Sequence, residues 1–398
     1  MKDLTRRRAA RYRVARAPYG PSARSQGPRW ARRRDETTER RRRPVTREPI
    51  MSEAAVSEEP GPVAGEWLVY RGAGEPHDGI DRLPAPPPWR DFRHRASQTP
   101  GGAETRRLGA HRAQAVSLRP GAEELEVINA ALYLRRPLLV TGGPGVGKSS
   151  LAHSVADELR LGDVLRWPIV SRTSLQDGLY HYDAIARLQD VQIAAHDPGA
   201  GAGGPGAPER IGDYIRLGPL GTALLPSARP RVLLVDELDK SDIDLPNDLL
   251  NILEEGEFVI PELQRLADRL PGNEAEVLTS DGRKVRVKDG RIACTHFPFV
   301  VLTSNEERDF PAPLLRRCIH LELGRPDHER LANFVRAHLG RERERDAEDL
   351  ITRFLERSHT ELLAADQLLN AIHLTGAAPG LDRDRLAELL IQRLDRPR

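Results

Sequence analysis

Cysteine is close to absent: Cys294 and Cys318 are the only two in 398 residues. A disulfide scaffold and a four-thiolate zinc site are thereby excluded, and the usage is that of a cytoplasmic chain. No apolar stretch approaches the ~18 residues that a bilayer span requires. The basic amino terminus has no apolar run behind it, so no secretory signal is expected. Twelve His are present, but none forms H-E-x-x-H or a Cys/His cluster, and solvated or core roles are expected for them. The two cysteines have no adjacent base and read as packing residues.

A bulk preference for nucleic acid is also missing. The overall charge of +2 hides a split. Residues 1–50 hold sixteen Arg and one Lys against five acids, a net of +12, so the remainder carries −10. Residues 283–291 (Arg283, Lys284, Arg286, Lys288, Arg291) are nevertheless locally basic. Residues 1–50 lack the aliphatic content to fold alone. They read as a nucleic-acid arm, as a solvated tail, or as sequence upstream of a true start at Met51.

Residues 51–115 are rich in Pro and Gly. Trp67 to Tyr70 suggests a short strand, and Pro86 to Pro88 an extended segment before Trp89 and Phe92. Its two tryptophans suggest a strap that lies on the body or on a neighbouring subunit; otherwise the stretch is a loose linker. From about residue 120, helical spacing over Glu123–Leu134 and Ser149–Leu159 alternates with short apolar strands. These are Pro137–Thr141, Val164–Val170, Arg231–Val235, Phe299–Thr303 and Ile319–Leu323, which together imply a parallel sheet covered by helices on both faces. Pro198 to Pro208 is a Gly/Ala/Pro surface loop. Residues 277–297 read as β-hairpin structure around Asp281-Gly282 and Asp289-Gly290. After Gly324 only helical patterns remain: His328–Leu339, Ala347–Ser358, Leu362–Leu374 and Arg383–Leu394.

The run Gly142-Gly143-Pro144-Gly145-Val146-Gly147-Lys148-Ser149 satisfies G-x-x-x-x-G-K-[ST], after a strand and opening a helix. Glycine lets phosphates approach the backbone N–H groups, and the helix amino end adds partial positive charge. Lys148 then reaches the β- and γ-phosphates, and the Ser149 hydroxyl ligates Mg²⁺. Ser150 completes the loop's contact set. The strand ending in Asp236-Glu237 delivers two acids to the carboxyl edge of the sheet, Asp236 for the Mg²⁺ shell and Glu237 as general base. In the plainer alternative, one of them caps the next helix. Asn305, at the tip of Phe299–Thr303, is a neutral amide able to hold the attacking water, or else a turn former. Arg316 and Arg317 are positioned either to pair with local acids or to reach a neighbouring subunit's γ-phosphate. No N-K-x-D guanine signature follows the acidic strand, so ATP is preferred over GTP.

Together these elements resemble an AAA+ ATPase over roughly residues 116–398, and are most similar to the MoxR-like branch. The added likeness lies in Leu217-Gly-Pro-Leu-Gly221, Asp236-Glu-Leu-Asp-Lys-Ser241, Leu249-Leu-Asn-Ile-Leu-Glu-Glu-Gly256 and the hairpin insertion. The resemblance implies an α/β P-loop NTPase sheet domain over 116–324 with an all-α lid over 325–398, and ATP with Mg²⁺ as ligands. Gly142 to Ser149 match Walker A, Asp236 and Glu237 match Walker B, and Asn305 matches sensor 1. Arg317 matches the arginine finger, since it precedes the position usually held by Phe, with Arg316 as fallback. It further implies a ring homo-oligomer, typically a hexamer, that remodels client proteins, often ones carrying a von Willebrand factor A domain. No such domain is visible in this chain. The stretch Thr360–Gln367 lacks the Arg that serves as sensor 2 in the family. Leu175–Leu188, with His181-Tyr182-Asp183, reads as a pore- or partner-facing element or as a packed helix. Lys240 reads as a surface lysine or as a contact to the neighbour's nucleotide. Two rival classes remain: a nucleic-acid translocase or restriction-type NTPase subunit, and a slow ATP-dependent regulatory scaffold.

Overall fold

The computed structural model describes residues 67–93, 120–196, 208–358 and 363–377, with Arg385, Leu390 and Ile391. The Arg-rich stretch, the Met51 start, nearly all of the Gly/Ala/Pro loop and most of the helix expected over 383–394 lie outside the described residues. In chain order, helix α1 (Ala122–Leu134) leads to β1 (Leu138–Thr141), α2 (Lys148–Glu158) and β2 (Leu165–Pro168). Then come α3 (Leu175–Leu179), β3 (Tyr180–Tyr182), α4 (Ala184–His196), β4 (Ile215–Leu217), α5 (Pro219–Ala223) and β5 (Val232–Asp236). Helix α6 (Asp244–Glu255), β6 (Glu257–Val259), α7 (Pro261–Leu266), β7 (Glu274–Leu278), β8 (Lys284–Lys288), β9 (Arg291–Ala293) and β10 (Phe299–Thr303) follow. The last elements are α8 (Ala312–Arg317), β11 (Ile319–Glu322), α9 (His328–Leu339), α10 (Arg341–Asp346), α11 (Glu348–Ser358) and α12 (Ala365–Ala377).

The main sheet has the order β11-β1-β10-β5-β2, and every pair in it is parallel. Successive side chains of a strand point to opposite faces, and the packing follows that alternation. Leu139, Leu233, Val235, Val300 and Leu302 enter one apolar cluster. Leu138, Val140, Val232, Leu234, Phe299 and Val301 enter the other, with α1 and α2. Both faces are therefore covered, which is why these strands are near-continuous apolar runs. A third cluster, built from Leu331, Val335, Leu350, Ile351, Phe354, Leu368 and Ile372, is the core of the helical region. No helix among the described residues is long and apolar enough to cross a membrane.

Three local expectations need correction. Trp67 to Tyr70 forms no strand. Its N–H groups at Val69 and Tyr70 donate to Asn129 Oδ1 (2.8 and 2.9 Å), so a side chain on α1 replaces a neighbouring strand. Leu175–Leu188 is not one helix. It breaks at Tyr180 into β3, which pairs antiparallel with β4. The hairpin is only half as expected: β7 and β8 pair across Asp281-Gly282, but β9 leaves at Asp289-Gly290 to pair with β6.

Residues 67–93 lie on the sheet domain, and of the two tryptophans only Trp67 packs on it, edge-on against Tyr133 with ring centroids 5.5 Å apart. Trp89 is 71% exposed, whereas Val69, Tyr70, Ile80 and Phe92 are buried. The Glu158 carboxyl accepts the N–H groups of Arg71 (2.6 Å), Gly72 (3.1 Å) and Gly74 (2.9 Å). Arg90 donates to the carbonyls of Arg135 and Leu253 and lies 4.2 Å from the centroid of Phe297. Burial pulls its guanidinium down to about 10.

Candidate nucleotide site

The loop between β1 and α2 is shaped by close backbone approach. Gly142 has φ 138°, and a Cβ there would lie 2.5 Å from the carbonyl oxygen of Leu323. Gly145 has φ 76°, and a Cβ there would lie 2.7 Å from the main-chain nitrogen of Ala365, at the start of α12. Only glycine fits either place without displacing backbone. The helical region thus meets the tip of the loop through Ala364 and Ala365.

Lys148 is buried, and its ammonium is fully occupied. Nζ donates to the carbonyls of Gly142 (2.8 Å) and Gly143 (2.7 Å) and to Asn305 Oδ1 (2.7 Å). Burial lowers its proton affinity, and the charges of Asp239, Asp236, Glu237 and Glu306 oppose that shift. An ammonium has three donors, so an arriving phosphate must replace these partners rather than fill a vacancy.

Ser149 Oγ donates to Asp236 Oδ1 at 2.7 Å. Thr303 Oγ1 donates to the same oxygen (2.9 Å) and accepts the Glu237 N–H (2.8 Å). The second Asp236 oxygen accepts from Arg166 Nη2 at 2.7 Å. Burial raises the Asp236 carboxyl, but the hydrogen bonds from Ser149, Arg166 and Thr303 outweigh it and hold the group below the usual carboxylate range. A hydroxyl beside an ionised carboxylate, both hard oxygen donors, suits Mg²⁺; Ser149 and Asp236 are the residues that would hold it. Arg166 was not singled out from sequence. It lies on edge strand β2 with a side chain 61% exposed, and the acid it contacts is distant in the chain.

Glu237 stands at the strand tip in a left-handed conformation (φ 62°, ψ 50°), which a non-glycine residue adopts only at a cost of about 1–2 kcal/mol. Its half-exposed carboxylate ion-pairs with Lys240 at 2.8 Å, and that pairing raises the lysine's proton affinity. Asn305 N–H donates to Asp239 Oδ2 (2.9 Å), a second residue not singled out from sequence. Thus two bonded sets lie side by side at the carboxyl ends of β1, β5 and β10: Lys148 with Asn305, and Ser149 with Asp236, which Glu237 joins through Thr303.

The two arginines stand apart, at the end of α8. Arg317 pairs with Glu254 on α6, which raises its proton affinity, and also donates to the Pro313 carbonyl. Arg316 is exposed, and among the described residues its guanidinium has no ion-pair partner. Both cysteines are buried, and burial pushes the Cys318 thiol up to about 12, so it is a poor nucleophile.

No curated protein matches the chain. Residues 137–318 match the family model for the AAA domain of the dynein-related subfamily, from the start of β1 to the end of α8. Residues 137–318 are thus similar to an AAA domain, and the parallel sheet with its phosphate-binding loop is that of an α/β P-loop NTPase fold.

Proposed function

We propose that the protein binds ATP with Mg²⁺, hydrolyses it, and acts as a subunit of a MoxR-like ring that remodels or activates partner proteins in the cytoplasm. The observation that carries this reading is that neighbouring residues of the loop bond the tips of two strands, Lys148 to Asn305 and Ser149 to Asp236. Lys148 leaves the Gly142 and Gly143 carbonyls and Asn305 Oδ1 for the β- and γ-phosphates, and the loss of the last contact frees the Asn305 amide to align water. The Glu237 carboxylate, released by Lys240, accepts a proton from that water as its oxygen attacks the γ-phosphorus. The bond to the bridging oxygen breaks, and ADP and phosphate leave. Magnesium, when bound, supplies charge neutralisation across the phosphate oxygens.

Arg316, exposed and without an ion-pair partner among the described residues, supports a ring in which a guanidinium reaches the neighbour's nucleotide; Arg317 would first have to leave Glu254. A hexamer acting on a client, possibly one with a von Willebrand factor A domain, is the assembly proposed. The basic hairpin lends little to a nucleic-acid translocase. Lys284 pairs with Glu276, Arg286 faces Glu274, Arg283 lies by Asp281, and Arg291 pairs with Glu257. A slow regulatory scaffold is the second reading, favoured by the Glu237–Lys240 pair and by Ala364-Ala365 in place of a lid cation.

Glu237→Gln separates these readings. Under the proposal it keeps ATP affinity and loses turnover by about 10²–10⁴-fold. Undiminished phosphate release would remove Glu237 as base. Wild-type turnover too slow to be lowered would favour the scaffold.

A further inference from the structure

Asp239 is a buried acid whose charge acts on Lys148, but whose hydrogen bonds go neither to Lys148 nor to the Ser149–Asp236 pair. It is 2% exposed and lies on the 3-10 turn Leu238–Lys240, directly after Glu237. Its Oδ2 accepts the N–H groups of Asn305 (2.9 Å) and Glu307 (3.2 Å). Its Oδ1 is buried and has no hydrogen-bond partner among the described residues. Burying a carboxylate in this way costs several kcal/mol, and hydrogen bonds to a charged acceptor, roughly twice as strong as neutral ones, offset part of that.

The segment it grips is tightly turned. Ser304 Oγ accepts the Glu306 N–H at 2.9 Å, and Glu306 is left-handed at φ 62°. The Ser304 N–H donates to the Val140 carbonyl, which ties the turn to β1. Asp239 therefore joins the turn that carries Glu237 to the turn that carries Asn305. Thr303 also accepts the Glu237 N–H and donates to Asp236, so the tips of β5 and β10 are tied through Thr303 on one side and Asp239 on the other.

We infer that Asp239 is a positioning residue for hydrolysis. Its Oδ2 fixes the main chain at Asn305 and Glu307, and so sets where the Asn305 amide stands relative to Glu237 and the phosphate-binding loop. The inference rests on the proposed ATP hydrolysis, and it concerns the acceptor oxygen rather than the charge. A displacement of ~1 Å in such a group can lower a rate by about 100-fold while leaving binding intact.

Three substitutions separate acceptor from charge. Asp239→Asn keeps an oxygen that can accept both N–H groups and removes the charge. Asp239→Glu keeps the charge and moves the carboxylate by a methylene. Asp239→Ala removes both. Steady-state turnover, nucleotide affinity by calorimetry, and amide exchange of residues 304–308 are measured on the full chain. The expected result is kcat within about threefold of wild type for Asp239→Asn, and lowered about 10–100-fold for Asp239→Glu and Asp239→Ala, with KM and Kd nearly constant. Exchange over 304–308 rises only in the two slow variants.

An Asp239→Asn variant as slow as Asp239→Ala would overturn the inference in favour of a charge role. So would an unchanged kcat in Asp239→Ala, or kcat and affinity falling together. If Asp239→Ala does not fold, the contrast between Asn and Glu decides. A wild-type protein that does not hydrolyse ATP removes the functional reading and this inference with it. A wild type that does, with Asp239→Glu and Asp239→Ala equally active, removes the inference alone.

Discussion

Two buried carboxyl groups, Glu158 and Asp236, are bonded in opposite styles. Glu158, at the end of α2, takes three main-chain N–H groups from residues 71–74. Asp236, at the end of β5, takes only side chains: Ser149, Thr303 and Arg166. Main-chain partners cannot leave unless the segment peels away. Side-chain partners can rotate off and be replaced by a metal or a phosphate. The first style fastens residues 67–93 to the sheet domain; the second suits a site that must exchange partners. The same division separates Asn129, which holds both the N–H and the carbonyl of Tyr70, from Lys148, held by loop carbonyls and a side-chain amide.

The comparison breaks if the two groups respond alike to deletion. Glu158→Ala leaves three N–H groups without their acceptor, each worth roughly 1–3 kcal/mol when buried. Unfolding free energy by urea denaturation is expected to fall by about 3–5 kcal/mol, with nucleotide affinity changed by less than about threefold. Lys148→Ala should do the reverse. Affinity by calorimetry falls by about 100-fold, since truncating one member of a buried charged contact costs ~2–5 kcal/mol, while the melting temperature moves little. Normal affinity in Lys148→Ala would remove the loop from the nucleotide site. Asn129→Ala is intermediate, losing about 2–3 kcal/mol of stability without a change in turnover; lost turnover would couple residues 67–93 to the site.

The sheet and the phosphate-binding loop were readable because their signals are local. An apolar run of four or five residues, then Gly142 to Ser149, then helical spacing, needs no knowledge of distant partners. The acids at 236–237 were readable for the same reason, as polar residues ending a buried strand. Arg166 and Asp239 were not, because what defines each is a contact to a residue some 65–70 positions away. In sequence Asp239 is one charge among several in a polar turn. Trp67 to Tyr70 was misread because its composition favours a strand while its hydrogen-bond partner, Asn129, sits on a helix. The break at Tyr180 follows from packing as well. A Cβ on Gly178 would lie 2.4 Å from the Trp167 ring, and the chain turns there into a strand whose partner, β4, comes more than thirty residues later.

The smallest expected effect tests how finely the contact between residues 67–93 and α2 is fitted. Tyr70 is fully buried, and its hydroxyl lies 2.7 Å from Ser154 Oγ, itself buried. Burial raises the phenol's pKa, so it stays neutral. Tyr70→Phe keeps the ring packing and leaves the Ser154 hydroxyl without that partner, for a loss of about 1 kcal/mol. Ser154→Ala strands the phenol instead and should cost a similar amount. In the double variant neither group is stranded, so its loss should be less than the sum of the two single losses, a coupling of at least ~0.5 kcal/mol in a double-mutant cycle. Strict additivity would mean that water already serves both hydroxyls, and that this edge of the contact is looser than the Glu158 carboxyl makes it.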